Sequence, residues 1–152
     1  MDTLIKNTGS APSSPELKTL KKISYTPIGI IHSPFKELAG IPKQPEMGQG
    51  IDGVVEVFPP YVEGIEHIEK FRYIKLIYHL HQSQRYELKI RQMGEGQLRG
   101  VFSTRAPHRP NPIGVSVVRL IRVEGTKIHI RDLDILDGTP LLDIKPYMAR
   151  RY

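Results

Sequence analysis

The sequence predicts a mainly β protein: an antiparallel barrel or strongly curved sheet with short helical insertions, closed to hide its edges. Three observations point there. About eight short segments carry strand patterning, no segment sustains a long helical period, and turn residues separate the strands at short intervals. So many strands with almost no helix to cover them leave closure as the way to remove unpaired edges. At 152 residues the chain has enough material for one sizeable core and not for two. The expected division is a flexible leader over 1–24 and a single domain over 25–152.

Taken in order, Met1 to Lys22 is polar and rich in Ser, Thr and Pro, without the continuous apolar stretch of a signal peptide. Ser14 and Pro15 are placed to start a helix too short to hold alone. Tyr25 to His32 is β-rich, with Pro27 marking an edge position or strand start. Phe35 to Gly50 holds three Gly and two Pro with no period, a long loop of the kind that often carries function. Asp52 to Phe58 alternates as a strand. Pro59-Pro60 ends it, and Tyr61, Ile65 and Ile68 fit the apolar face of a short helix through Glu69.

Phe71 to His81 is the strongest strand, with Phe71, Tyr73, Lys75, Ile77, His79 and His81 on one face and Arg72, Ile74, Leu76, Tyr78 and Leu80 on the other. Tyr86, Leu88 and Ile90 alternate with charges and predict a half-buried strand. From Gly100 a short apolar strand leads into a proline-punctuated loop and out into a longer strand over Val115 to Val123. Val123-Glu124-Gly125-Thr126 predicts a hairpin between Val115 to Val123 and Lys127 to Arg131. Ile128 and Ile130 are out of phase with Leu133 and Ile135, which predicts a bulge or break near Asp132. Leu141 to Ile144 is the last short strand.

Composition narrows the function classes. The chain has no Cys, which removes disulfides, thiolate catalysis and Cys-based zinc sites. A formal net charge of +6 favours an anionic partner such as nucleic acid or a phosphorylated ligand; a basic protein with no polyanion partner is the competing reading. No run approaches the roughly 20 apolar residues that span a bilayer, so the expectation is a cytoplasmic protein without membrane contact.

In the loop after Gly100, Pro107, Pro110 and Pro112 hold Ala106, Arg109 and Asn111 in extended geometry. Arg105, His108 and Arg109 therefore sit on a path already stiff in the unfolded chain, which lowers the entropy cost of presenting them to a ligand. Between Glu95 and Glu124 there is no acid but five arginines, whereas Asp132, Asp134, Asp137 and Asp143 crowd into twelve residues. A basic rim beside an acidic pocket and a set of mutual surface salt bridges account for this equally well. Asp137-Gly138-Thr139-Pro140 has strong turn chemistry. His79 and His81 share a strand face, but no third ligand is fixed by spacing, so no metal site is assigned. Neither Gly-rich phosphate motif is present, and Ser116 sits in no nucleophile elbow.

Phe102-Ser103-Thr104-Arg105 with Arg109-Pro110-Asn111-Pro112-Ile113-Gly114, then Asp137-Gly138-Thr139-Pro140 with Asp143-Ile144-Lys145-Pro146-Tyr147, closely resemble the TsaA-like (TrmO) family of S-adenosylmethionine-dependent tRNA methyltransferases. The resemblance runs from about Tyr25 to Tyr147. It implies a β-barrel enzyme that forms homodimers, binds S-adenosylmethionine and methylates N6 of threonylcarbamoyladenosine beside the tRNA anticodon. By the same resemblance the cofactor site comprises Pro42, Lys43 and Gln44 of the long loop, His81 and Gln82, Arg105, Val115, and Leu136, Asp137, Gly138 and Thr139. Lys43 and Gln82 stand where family members more often have Arg and Glu. The chain ends at Tyr152, so the extra C-terminal domain of many bacterial relatives is expected to be missing.

Methyl transfer requires alignment of sulfur, methyl and acceptor nitrogen. An N6 bearing a carbamoyl group is a poor nucleophile, so proton removal should accompany attack. The sequence identifies no base; His81 and Asp137 are the candidates, and His108, Arg109 and Asn111 are assigned to positioning RNA. The alternatives are an S-adenosylmethionine-binding regulatory or RNA-binding module without turnover, and a methyltransferase for a small molecule.

Overall fold

The structure is a computed structural model that describes residues 20–41, 49–91 and 96–148; most of the expected leader lies outside them. Eight strands are present among the described residues: β1 (Gly29–His32), β2 (Asp52–Val57), β3 (Tyr73–His79), β4 (Lys89–Arg91), β5 (Leu98–Gly100), β6 (Ile113–Glu124), β7 (Lys127–Arg131) and β8 (Thr139–Tyr147). Six of them close a barrel in the order β1, β2, β7, β6, β3, β8, every pairing antiparallel. The last strand seals against the first, Gly29 opposite Leu141.

Alternation decides which side chains fill this narrow ring. On β3, Ile74, Leu76 and Tyr78 point inward; on β6, Ser116, Val118 and Leu120 do. Apart from Ser116, these form one hydrophobic core with Ile31, Val55, Ile128, Ile130 and Leu141. A six-stranded ring is narrower than the eight-stranded barrels whose interiors side chains just fill, and here mostly aliphatic groups fill it.

Ring order also decides what closes the ends. β7 and β8 stand on opposite walls, as do β2 and β3. The segment 132–138 must therefore cross one end of the barrel and 58–72 the other. Leu133 and Ile135 plug the first end; Ile65, with Val62, Ile68 and Phe71 packed against the core, plugs the second. The break expected near Asp132 is present: Asp132 has φ of 72°, which shifts phase between β7 and the crossing segment.

Several boundaries differ from the expectation. Tyr25 to Ile28 lie outside β1, and Leu141 to Ile144 widen into the nine residues of β8. The helix expected through Glu69 is two 3-10 turns, Pro59–Ile65 and Ile68–Lys70, parted by His67 in the left-handed region. Pro59 and Pro60 remove donors and Gly64 weakens propagation. Tyr86 and Leu88 are exposed and outside any strand. β4 and β5 instead form a separate two-stranded ribbon with little core to face.

Candidate functional site

Strand direction gathers the motif loops. β1, β3 and β7 run one way and β2, β6 and β8 the other, so the connections 33–51, 80–112 and 132–138 all emerge at the same end. That end is the barrel mouth. The sequence-predicted residues that the structure describes lie on these connections or on the first residues of β6 and β8.

The crossing segment is pinned to the end of β1. Ser33 donates its Oγ to the Ile135 carbonyl at 2.6 Å and its N–H to Asp137 Oδ1 at 2.8 Å. Lys36 Nζ reaches Asp137 Oδ2 at 2.8 Å, and the backbone N–H groups of Asp137 and Gly138 donate to Phe35 and Ile31 carbonyls. Gly138 takes φ of 79°, a conformation that suits glycine. Thr139 is buried and donates to the Leu136 carbonyl at 2.6 Å, with Leu136 itself buried. The hydrogen bond from Lys36, aided by the Ser33 N–H, holds the Asp137 carboxyl below the usual carboxylate range despite some desolvation. Such a group favours its ionised form and is a poor proton acceptor.

The single acidic pocket considered from sequence is not formed. Asp132 accepts from the Gly50 N–H, Asp134 from the Ser116 hydroxyl and Asp137 from Ser33 and Lys36, while Asp143 pairs with Lys145. Each carboxylate is engaged at a different place.

The proline loop is braced internally and against the end of β3. Arg109 Nη1 donates to the Thr104 and Ala106 carbonyls at 2.8 and 3.1 Å, and its guanidinium lies 6.0 Å from the Phe102 ring centroid. Arg105 Nη2 donates to the Val115 carbonyl at 2.7 Å. Ser83 Oγ contacts His108 Nδ1 and the Pro107 carbonyl, and the Leu80 N–H donates to Pro112. The turn holding His81 and Gln82 is thereby stitched to the loop holding Arg105, His108, Arg109 and Asn111. Val115 meets Arg105 through its backbone; its side chain is exposed on the outer wall.

One feature of the mouth was not anticipated. Tyr78 Oη lies 2.7 Å from Ser116 Oγ, which donates to Asp134 Oδ1 at 2.9 Å. Tyr78 and Ser116 are buried, and desolvation first, then the Asp134 charge, push the phenol up to about 12 against the pull of Ser116 and Arg105. The available signal was phase: Tyr78 and Ser116 are polar groups at inward positions of otherwise apolar strand faces. The Ser116 hydroxyl is bonded to Tyr78 and Asp134, with no histidine partner.

Pro42, Lys43 and Gln44 lie outside the described residues. Among the described residues no group of three or more side chains is placed to hold a metal ion, and no helix is long and apolar enough to cross a membrane. An open cleft of about 770 Å³ lies at the end away from the mouth, lined in part by Tyr61, Ile65, Phe71 and Ile144.

The chain matches the tRNA-methyltransferase O N-terminal domain family over residues 30–151. It is 56% identical over 126 residues to a probable S-adenosyl-L-methionine-binding protein of Pyrococcus abyssi, covering 83% of this chain and 68% of that one. It is 32% identical over 139 residues to the tRNA (adenine(37)-N6)-methyltransferase of Escherichia coli, covering 85% of this chain and 59% of the relative. The crystal structure of TrmO from Pseudomonas aeruginosa superposes with a TM-score of 0.70 at 42% identity, covering 85% of this chain and 56% of that chain. The chain thus spans little more than half the length of two of these three proteins.

Proposed function

Since the chain belongs to the tRNA-methyltransferase O N-terminal domain family, we propose that it is an S-adenosylmethionine-dependent methyltransferase that acts on N6 of threonylcarbamoyladenosine beside the tRNA anticodon. The observation that carries this reading is convergence: two connections distant in sequence, 80–112 with His81 and Arg105 and 132–138 with Asp137, emerge at one barrel mouth, where Lys36 of a third reaches Asp137. S-adenosylmethionine supplies an electrophilic methyl group on a cationic sulfur. Its chemistry suits the residues present, because Arg105 offers a guanidinium to its carboxylate, Leu136 an apolar wall, and Asp137 and backbone carbonyls a field tolerant of a cation. The proposed cofactor residues are those carried by the resemblance, with Val115 acting through its carbonyl. His108, Arg109 and Asn111 stand on a rigid basic loop at the same mouth, where they would meet RNA.

The active form under this reading is a cytoplasmic homodimer. Ile113, Val115 and Val117 are exposed in a row on the outer face of β6, beside Tyr73 of β3 and Tyr147 of β8. A row of apolar groups on one wall is the kind of surface that a second copy covers.

Calorimetric titration of the chain with S-adenosylmethionine should show saturable binding, and radiolabel should pass to tRNA carrying the threonylcarbamoyl group and not to tRNA lacking it. Arg105→Ala should weaken cofactor binding by about tenfold or more, the scale of a lost hydrogen bond to a charged group; unchanged affinity would refute the site assignment. A binding module without turnover is the second reading, favoured by the binding-protein name of the Pyrococcus relative. It predicts cofactor binding with no transfer to either tRNA.

A further inference from the structure

The methyl-transfer reading leaves one role unfilled, the group that takes the proton from the acceptor nitrogen. Asp137 is a poor candidate, since both its carboxylate oxygens are engaged, by Ser33 and by Lys36. Asp134 is differently placed. It sits in the crossing segment between the buried Leu133 and Ile135, two residues before Leu136. Its Oδ1 accepts from Ser116, the neighbour of the Val115 whose carbonyl holds Arg105. Among the described residues Asp134 Oδ2 has no partner.

The hydrogen bonds behind it have a forced order. An ionised carboxylate only accepts, so Ser116 must donate to Asp134, and its oxygen must then accept from Tyr78. This directed chain, Tyr78 to Ser116 to Asp134, lies in a core otherwise built of aliphatic side chains. Buried polar chains of this kind fix a unique geometry when every member is satisfied. Gly114 leaves the space that the Tyr78 ring occupies, for a methyl group there would overlap the ring carbons. Ser116 directly follows Val115, whose carbonyl accepts from Arg105, so the middle of this chain is one residue from the anchor of the proposed cofactor residue.

We propose that Asp134 is the catalytic base of the transfer and that Ser116 and Tyr78 are positioning residues that aim its free oxygen at the acceptor nitrogen. The proposal rests on the methyltransferase reading above. In the step it describes, the N–H bond breaks and the proton passes to Asp134 Oδ2. The nitrogen electron pair forms the new N–C bond, and the C–S pair returns to sulfur as the methyl group leaves. Oδ1 keeps its bond to Ser116 throughout, so the carboxylate takes the proton without turning.

The test measures three quantities on each full-length variant: affinity for S-adenosylmethionine, affinity for threonylcarbamoyl-modified tRNA, and the single-turnover rate with both saturating. Asp134→Asn should keep both affinities within about threefold while the rate falls about 10²- to 10⁴-fold, the range for loss of a general base. Ser116→Ala and Tyr78→Phe should lower the rate with unchanged affinities, and Ser116→Thr, which restores the hydroxyl, should recover most of it. A rate for Asp134→Asn within about fivefold of the parent overturns the proposal, as does loss of cofactor affinity, which would make Asp134 a binding residue. Should Asp134→Asn fail to fold, equal rates for Ser116→Ala and Ser116→Thr overturn it instead. If the parent chain binds the cofactor yet transfers no methyl to the modified tRNA, the methyltransferase reading has failed and this proposal with it; a base assignment alone fails only when the parent is active.

Discussion

Gly114 and Asp137 show how much single positions decide at the mouth. Gly114→Ala would press a methyl group into the Tyr78 ring. Overpacking of this kind costs about 1–3 kcal/mol, which urea denaturation should register as a lower midpoint with unchanged slope. Asp137 makes a pH-dependent contribution. Its folded pKa is depressed, chiefly by Lys36, so the stabilisation is present above the unfolded carboxylate value of about 3.9 and lost as pH falls through the lower folded value. Asp137→Asn keeps an oxygen for the Ser33 N–H and removes the ion pair, which should cost under about 1 kcal/mol. Melting temperatures of the two proteins should differ by a constant amount from neutral pH to about pH 4 and converge below it. At residue scale the sequence singles out Arg105 by motif and Asp137 by turn chemistry, and both lie on connections at the barrel mouth. Asp134 stands out in the sequence only as one of four clustered acids; its link to Ser116 and Tyr78 depends on which strand faces turn inward and which segment crosses the mouth.

At the level of elements, alternation made the strands legible, and the hairpin joining β6 and β7 fell where its Gly125 turn predicted, with φ of 60° at that glycine. The half-buried strand expected over Tyr86, Leu88 and Ile90 reduces to β4, with Tyr86 and Leu88 exposed, because apolar residues alternating with charges look alike whether the apolar face meets a core or solvent. The phase change at Asp132 was legible, and it is testable. A β-branched residue held at φ of 72° is strained, so Asp132→Val should cost about 1–2 kcal/mol and also loses the acceptor for the Gly50 N–H. Asp132→Asn retains both the acceptor and the tolerance for this backbone region, and should fall within about 0.5 kcal/mol of the parent by thermal or denaturant unfolding.

For the whole molecule, closure was predictable from the need to hide strand edges, but the ring order was not. Which strands neighbour which is set by contacts between distant segments, such as Asp52 with Arg131 or Tyr73 with Tyr147. Only that order reveals that 132–138 crosses the mouth and brings Asp134 over the end of β3. The seam between the first and last strands carries a further consequence, in the order of synthesis. A ribosome delivers β1 and β2 early, yet the free edge of β1 must wait for Thr139, Pro140 and Leu141 before it is paired. Nascent chains halted before β8 should therefore remain sensitive to protease and prone to edge-to-edge association, whereas chains carried past Tyr147 and clear of the exit tunnel should become resistant together across all six barrel strands. Limited proteolysis of chains stalled at successive lengths would locate that transition.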